Sequence, residues 1–347
     1  MVEKANFRPR CMATTLPTMP HRDPEAACRA MLKYFPEAPS IPRLSMSVRM
    51  YLDGMPCLVI DPAKKQLRYD LSREEELMRF YEQVLSEGLD SFAMSPKYAA
   101  VFYVMLEALK NSCPPDFRLI HTQLPGLLTW GLSLIGPEGR PAWYDPVMRE
   151  VIVQTLVMKV KWQQKKIREI LRGAEMMITL GEPTLGMMSS PFGSILEGDV
   201  IQVLGDFFAQ VEGLGCVHCC SNMDWGVLMK SSAHIINFDA YQFADKIALY
   251  PAEIRAFLER GGMLAWGIVP VAEEILRSES RQHLREKLED GMELLIKEGI
   301  DRQKLLEQSF ITPCCTTATL TVERAEQVFE YTQSISREMR RDHLRGC

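Results

Sequence analysis

From about residue 117 onward, short apolar runs alternate with longer stretches in which apolar residues recur at helical spacing. Continuous apolar runs read as strands buried on both faces, and the longer stretches read as amphipathic helices. Together they predict a parallel sheet with crossover helices. The predicted strands are Phe117 to Gln123, Met176 to Leu180, Gly215 to His218, His234 to Phe238, Met263 to Ile268 and Ser309 to Thr312. Asp145 followed by Pro146 supplies an N-cap and a first-turn proline for a helix that stops at Gly173. Further helices are predicted over about 195–212, 251–260, 271–298 and 321–345. Earlier in the chain, Ser72 with Glu75 forms a capping box for a helix over about 73–86, and Ser95-Pro96 opens another running to about 110.

Taking Ala13 to Leu16 as a first strand, and placing one more between it and residue 117, brings the total to eight. This predicts an α/β fold of the (β/α)8 TIM-barrel type. A doubly wound sheet is the competing architecture, but no glycine-rich dinucleotide turn follows any of these strands. The proline-rich and polar stretch over about 38–70 reads as an elaborated loop of the same domain, so residues 1–347 form a single catalytic barrel with N-terminal elaborations.

Composition narrows the function classes. With 47% hydrophobic and 24% charged residues, the chain has the profile of a folded globular protein. Its net charge of -5 argues against nucleic acid as a partner. The basic run Arg337, Arg340, Arg341, Arg345 reads as the solvated end of a last helix. No apolar stretch approaches the roughly 20 residues of a membrane span, and MVEKANFRPRC is not followed by a signal core. The expected location is the cytoplasm, where the ten cysteines are free or metal-bound. Cys11, Cys28, Cys57, Cys113 and Cys347 are scattered, whereas Cys216, Cys219, Cys220, Cys314 and Cys315 cluster at predicted strand ends.

In a barrel of this type the site is assembled at the C-terminal ends of the strands. Those ends carry Glu182-Pro183, then His218-Cys219-Cys220, Asp239, Pro270 and Cys314-Cys315. Imidazole, thiolate and carboxylate from three strands form a donor set soft enough for zinc. His218 and Cys220, two apart on an extended segment, face the same way, and Cys219 faces the other. A hydrolytic zinc enzyme typically uses histidine-rich ligands and a bound water, so this set leans away from hydrolysis.

These motifs resemble the catalytic barrel of the cobalamin-independent methionine synthases, in particular their short core forms, and more distantly the uroporphyrinogen decarboxylase and coenzyme M methyltransferase barrels. The resemblance runs through ATTLPTMPHRDPEAA at 13–27, LGEPTLG at 180–186, VHCCSNMDW at 217–225 and ITPCC at 311–315. It implies a zinc-dependent transfer of a methyl group to a thiol, with His218, Cys220, Asp239 and Cys315 as the ligands. It also implies Thr18, Glu182, Asp224 and Trp225 as substrate-binding residues, with Gln123 at another strand end as a further candidate. Three positions depart from the family pattern. Its acidic ligand is usually Glu where Asp239 stands, its Pro-x-Cys-Gly motif reads Pro313-Cys314-Cys315-Thr316, and its strand-end Asp-Glu-Pro reads Gly181-Glu182-Pro183. A register shift of one would bring in Cys219 or Cys314. Glu182 also fits the role of a helix cap, and Trp225 and Trp266 that of core aromatics.

Full-length members of the family place a second barrel ahead of the catalytic one to help hold a long folate. The expectation for a single barrel is therefore methylcobalamin or another methylated corrinoid, presented by a separate corrinoid protein. Homocysteine is the favoured small-molecule thiol. The carboxylate missing at Gly181 keeps a coenzyme M-like thiol as the alternative, and a zinc-bearing module that only docks a corrinoid protein is the reading from another class.

Overall fold

The computed structural model describes residues 7–44, 49–61, 66–189 and 195–344; Arg345 and Cys347 of the predicted basic tail and cysteine set lie outside them. Seven parallel strands form one sheet: β1 (Met12–Ala13), β4 (Leu119–Pro125), β5 (Glu175–Gly181), β6 (Leu214–Cys219), β7 (Ile235–Phe238), β8 (Met263–Val269) and β9 (Ser309–Pro313), with β2 (Leu58–Asp61) and β3 (Gln66–Tyr69) pairing apart as an antiparallel hairpin. The order β1-β9-β8-β7-β6-β5-β4 places sequential strands side by side, the arrangement of a TIM-like barrel wall. The predicted strands hold to within two residues from residue 119 onward, because each is a short, mostly apolar segment buried on both faces.

Between the outer edges of β1 and β4 lies the segment 37–43, within the region before residue 117 in which the sequence allows one more strand. It forms no regular strand. It touches both edges through the single bridges Thr18 to Arg43 and Ser40 to His121. Main-chain hydrogen bonds run from Ile41 N to His121 O at 2.8 Å, from His121 N to Pro39 O at 2.9 Å and from Arg43 N to Pro17 O at 2.9 Å. Three prolines, Pro36, Pro39 and Pro42, remove donors that a ladder would need.

Alternation along the strands sorts the inward side chains into layers. The floor takes one residue from each of the seven strands: Met12, Leu119, Met177, Leu214, Ile235, Met263 and Phe310, packed as one apolar cluster. Two residues further along come Thr14, His121, Thr179, Cys216, Asn237, Ala265 and Thr312. This layer is largely polar and internally bonded. His121 sits between Ser40 Oγ (2.9 Å) and Thr14 Oγ1 (3.3 Å) on Nδ1, and Thr179 Oγ1 (2.7 Å) on Nε2. Two residues further still is the mouth.

Around the sheet, the helices Pro96–Asn111, Pro146–Ile170, Glu197–Phe208, Pro251–Glu259 and Val322–His343 match the predicted spans. Asp145 accepts from Val147 N and Met148 N, and Ser95 accepts from Lys97 N, as their capping positions predict. Several expectations are corrected. The predicted 271–298 helix is two, Glu273–Ser278 and Arg281–Lys297, because Ser280 caps the second through His283 N. The capping box at Ser72 does not form: that hydroxyl donates to Asp70, and Arg73 occupies the N-cap of Glu74–Leu85 without a side-chain bond. The 38–70 stretch holds the β2–β3 hairpin and the short helix Arg49–Leu52, and an unpredicted helix, Ala240–Ile247, follows β7. Among the described residues no helix is long and apolar enough to cross a membrane.

Candidate metal centre and barrel mouth

The strand ends bring His218, Cys220 and Cys315 together, with imidazole nitrogen and both sulfurs within 4.8 Å of one another. Among the described residues this is the one such group of histidine, cysteine and acidic side chains. His218 is buried on β6, and the two cysteines are partly exposed at the rim. The spacing of two residues puts His218 and Cys220 on one side, as the sequence predicts. Cys219 turns to the other side, buried with its thiol donating to Ser221 O at 3.4 Å. Cys314 is likewise buried, donating to Gly267 O at 3.1 Å.

The neighbours of His218 fix its tautomer. Asn237 Nδ2 donates to Ala265 O at 3.0 Å and Thr312 Oγ1 at 2.8 Å, so its Oδ1 is the atom facing His218 Nδ1 at 2.6 Å. An amide oxygen only accepts, hence Nδ1 carries the proton and Nε2 presents its lone pair. That Nε2 is buried without a hydrogen-bond partner, a costly state unless something else coordinates it. The two sulfurs beside it share a proton unequally. A hydrogen bond from the Cys220 thiol favours the Cys315 thiolate against the cost of burial, and the same bond raises Cys220. A neutral imidazole with an orphaned nitrogen and two thiols, one already favouring the thiolate, fits zinc, whose bonds of about 2.3 Å to sulfur set tetrahedral neighbours about 3.8 Å apart.

The structure does not bring Asp239 into this group. Its carboxylate caps the helix Ala240–Ile247, accepting from Gln242 N at 3.1 Å and Gln242 Nε2 at 2.6 Å, with Cys314 as a further hydrogen-bond neighbour. Burial raises its pKa against those bonds. The sequence shows a carboxylate at a strand end. It does not show that the next residues turn into a helix needing a cap.

Glu182 is buried, and three hydrogen bonds tie its carboxylate to the helix Leu127–Ser133 that follows the preceding strand. Oε1 accepts from Leu128 N at 2.9 Å, and Oε2 accepts from Thr129 N at 2.9 Å and Thr129 Oγ1 at 2.7 Å. Gly126 is required for this: a Cβ there would lie 2.0 Å from the Glu182 carboxyl carbon. Burial raises the Glu182 pKa, opposed by these donors. Asp224 caps the helix Trp225–Lys230 through Gly226 N at 3.0 Å. Trp225 is completely buried against Phe238. Trp266 is buried too, donating to Ser309 Oγ at 3.0 Å. Thr18 is buried beside Arg43, its carbonyl accepting from Thr317 N.

Asn237 is a residue that strand-end reasoning passes over, because it lies in the layer below the mouth. The alternation signal that could have found it is its place two before Asp239 on a strand adjoining that of His218.

No family model matches the sequence, and no curated protein does either. Solved structures do. A methyltransferase from Methanosarcina mazei superposes with a TM-score of 0.58 at 12% identity, covering 96% of this chain and 94% of that one. A protein from Listeria monocytogenes, described as a candidate vitamin-B12 independent methionine synthase, superposes with a TM-score of 0.60 at 10% identity, covering 91% and 85%. This chain shares their fold.

Proposed function

We propose that the chain is a zinc-dependent methyltransferase, built as one (β/α)8 barrel whose second strand position is taken by the segment 37–43, and that its acceptor is a thiol. The observation carrying this reading is the His218 imidazole, with its Nε2 orphaned and a ring nitrogen within 4.8 Å of the sulfurs of Cys220 and Cys315, at the C-terminal end of a parallel sheet. When bound there, zinc supplies the acidity that deprotonates a coordinated thiol.

The protein's own groups set what that acidity is used for. Two thiolates and a neutral imidazole cancel the charge of a divalent zinc, leaving an incoming sulfur electron-rich. Hydrolytic sites, richer in histidine, favour water instead. A free alkyl thiol with a pKa near 8.5 sits about 1.5 units above neutrality, or about 2 kcal/mol. That modest amount leaves most of the rate to holding the sulfur in line with the methyl group. Asn237 holds the His218 ring, and the buried Cys219 and Cys314 pin the segments carrying Cys220 and Cys315.

Asp239 supplies a carboxylate at the same rim, and we assign it to the fourth zinc position only in states where Gln242 releases it. Thr18 and Asp224 shape the mouth around substrate, whereas Trp225, packed against Phe238, supports the wall behind it. For the donor we carry forward a methylated corrinoid, delivered by a corrinoid protein, and for the acceptor homocysteine. Metal analysis of protein purified without added metal tests the centre: about one zinc per chain is expected, and full zinc in both Cys220→Ala and Cys315→Ala would overturn it. Incubation with homocysteine and either methylcobalamin or methyltetrahydrofolate tests the donor, and turnover with folate alone rules the corrinoid out.

A further inference from the structure

Arg10, Arg118 and Arg340 meet at the end of the sheet opposite the metal centre. Arg10 stands two residues before β1, Arg118 immediately precedes β4, and Arg340 comes from the last turn of the helix Val322–His343. With Glu37 and Leu344 they line a cleft of about 250 Å³. It shares Glu37, Arg118 and Arg340 with a second cleft of about 470 Å³, edged by Pro115, Asp116 and Phe117. In the first cleft one carboxylate serves three cations. Glu37 accepts from Arg340 Nη1 at 2.6 Å, and among the described residues no carboxylate pairs with Arg10 or Arg118. Main-chain oxygens hold the arginines in place and leave their charge uncompensated. Arg340 donates to Arg10 O at 2.8 Å and Pro9 O at 3.2 Å, Arg118 to Arg8 O at 3.0 Å, and Arg10 to Leu344 O at 3.4 Å. The Arg118 guanidinium also lies over the Phe7 ring, 4.9 Å from its centre. Burial lowers the Arg118 pKa, Glu37 raises it, and Arg340 and Arg10 lower it again, so the like charges act on one another. Of the basic run near the chain's end, Arg341 pairs with its neighbour Asp342, whereas Arg340 turns to this cleft.

From this we infer that Arg10, Arg118 and Arg340 form a binding site for a soluble small molecule bearing phosphate, separate from the metal centre and sharing no residue with it. A guanidinium carries five N–H donors in a planar fork that matches the oxygens of a phosphate. Protein atoms engage one donor on Arg118, one on Arg10 and three on Arg340, so each has donors left for a ligand. Three guanidinium groups against one carboxylate leave two positive charges, which a phosphate monoester or a diphosphate answers. The chain as a whole carries a net charge of -5, so the attraction is local to the cleft, and Asp116 at the outer edge opposes a long polyanion running past it. A bound phosphate also ties together the entries to β1 and β4 and the start of the segment 37–43. Glu37 O already accepts from Arg118 N at 2.8 Å and Leu119 N at 3.1 Å there. Occupancy therefore stabilises the fold.

Calorimetric titration of the zinc-loaded protein with pyrophosphate, inorganic phosphate and chloride at constant ionic strength tests this. Pyrophosphate is expected to bind saturably at about one per chain, more tightly than phosphate, and to raise the unfolding temperature as the site fills, with chloride doing neither. Arg118 is exposed, so its replacement spares the fold. Arg118→Gln should weaken pyrophosphate by about tenfold or more, and Arg118→Lys, which keeps the charge without the fork, by less. Glu37→Gln, which removes the competing carboxylate, should tighten binding by about threefold. Zinc content should be unchanged in all three variants. Pyrophosphate held by the zinc instead would bind wild type and Arg118→Gln equally, and that equality, or the lack of any saturable binding, would overturn the site. Vesicles of phosphatidylcholine with phosphatidic acid present the same group on a surface: capture by these vesicles without binding of pyrophosphate would overturn a soluble ligand.

Discussion

The floor and the mouth of the sheet are built from the same strands and the same facing positions, four residues apart, yet their chemistry is opposite. Leu119, Met177, Leu214, Ile235 and Phe310 at the floor correspond to Gln123, Gly181, His218, Asp239 and Cys314 at the mouth. The contrast is sharpest within one strand. Cys216 is completely buried and its thiol is pushed up to about 12 by burial, so it behaves as a small apolar side chain. Cys220, on the same side, meets a second sulfur and an orphaned imidazole nitrogen. Residue type does not decide the role of a cysteine here; the layer does. Stability resides where every inward group is satisfied, and binding where some are left open.

The largest expected effect comes from breaking the mouth. Cys220→Ala or Cys315→Ala should abolish zinc retention and methyl transfer, by more than about a thousandfold, while Cys216→Ala retains both; metal content and initial rates measured side by side check this. If Cys216→Ala also lost its zinc, the layers would not be separable.

Acid titration reads the layer between. Burial, with a smaller contribution from His218, lowers the His121 pKa from 6.5 to about 3. The folded protein then refuses a proton that the unfolded chain accepts. His121 accordingly adds full stability above pH 6.5, and that stability is lost as the pH falls toward 3, by up to about 5 kcal/mol. Chemical denaturation across that window checks it, and His121→Gln should flatten the acid limb.

At the floor, Leu214→Ala or Met177→Ala should lower stability by about 2–5 kcal/mol through the cavity left behind, with zinc stoichiometry intact in the folded fraction. The smallest effect expected is at the join of the layers. Asn237→Leu should weaken zinc binding about 10- to 100-fold by freeing the His218 ring. Asn237→Asp, which still accepts from Nδ1–H, should restore most of the affinity in a chelator competition. Histidine ¹⁵N shifts of the metal-free protein give a second check: the Nδ1–H tautomer of His218 should dominate in wild type and not in Asn237→Leu.

The fold was legible in the sequence where a local pattern dictates it. Six apolar runs became β4 to β9, and Asp145-Pro146 and Ser95-Pro96 opened the helices they announce. It was illegible where a distant contact or a competing local motif decides. At Ser72 two local motifs compete, and the hydroxyl goes to Asp70 two residues back instead of completing the capping box. The eighth strand that the sequence allows between Leu16 and residue 117 does not join the sheet; the segment 37–43 instead meets two edges at once without a ladder. Of the site, the spacing of His218 and Cys220 showed which sulfur turns inward, and Cys315 joined them. Asp239 looks like a metal ligand and Glu182 like a substrate contact because a carboxylate at a strand end looks the same whether it meets a metal, a substrate or the amide groups of a helix. Nothing local to Glu182 says that the helix it caps begins 55 residues earlier, at Leu127.

The segment 37–43 has a consequence for self-association. Parallel edge strands left unpaired are templates for another chain, and β1 and β4 are such edges, β4 being seven residues long. What masks them is a stretch held by two single bridges and a few main-chain bonds, with the Ser40–His121 contact at its centre. Detaching it would expose both edges without unfolding the rest of the wall. Protonation of His121 and an increased tendency to aggregate in acid are therefore coupled through one seam.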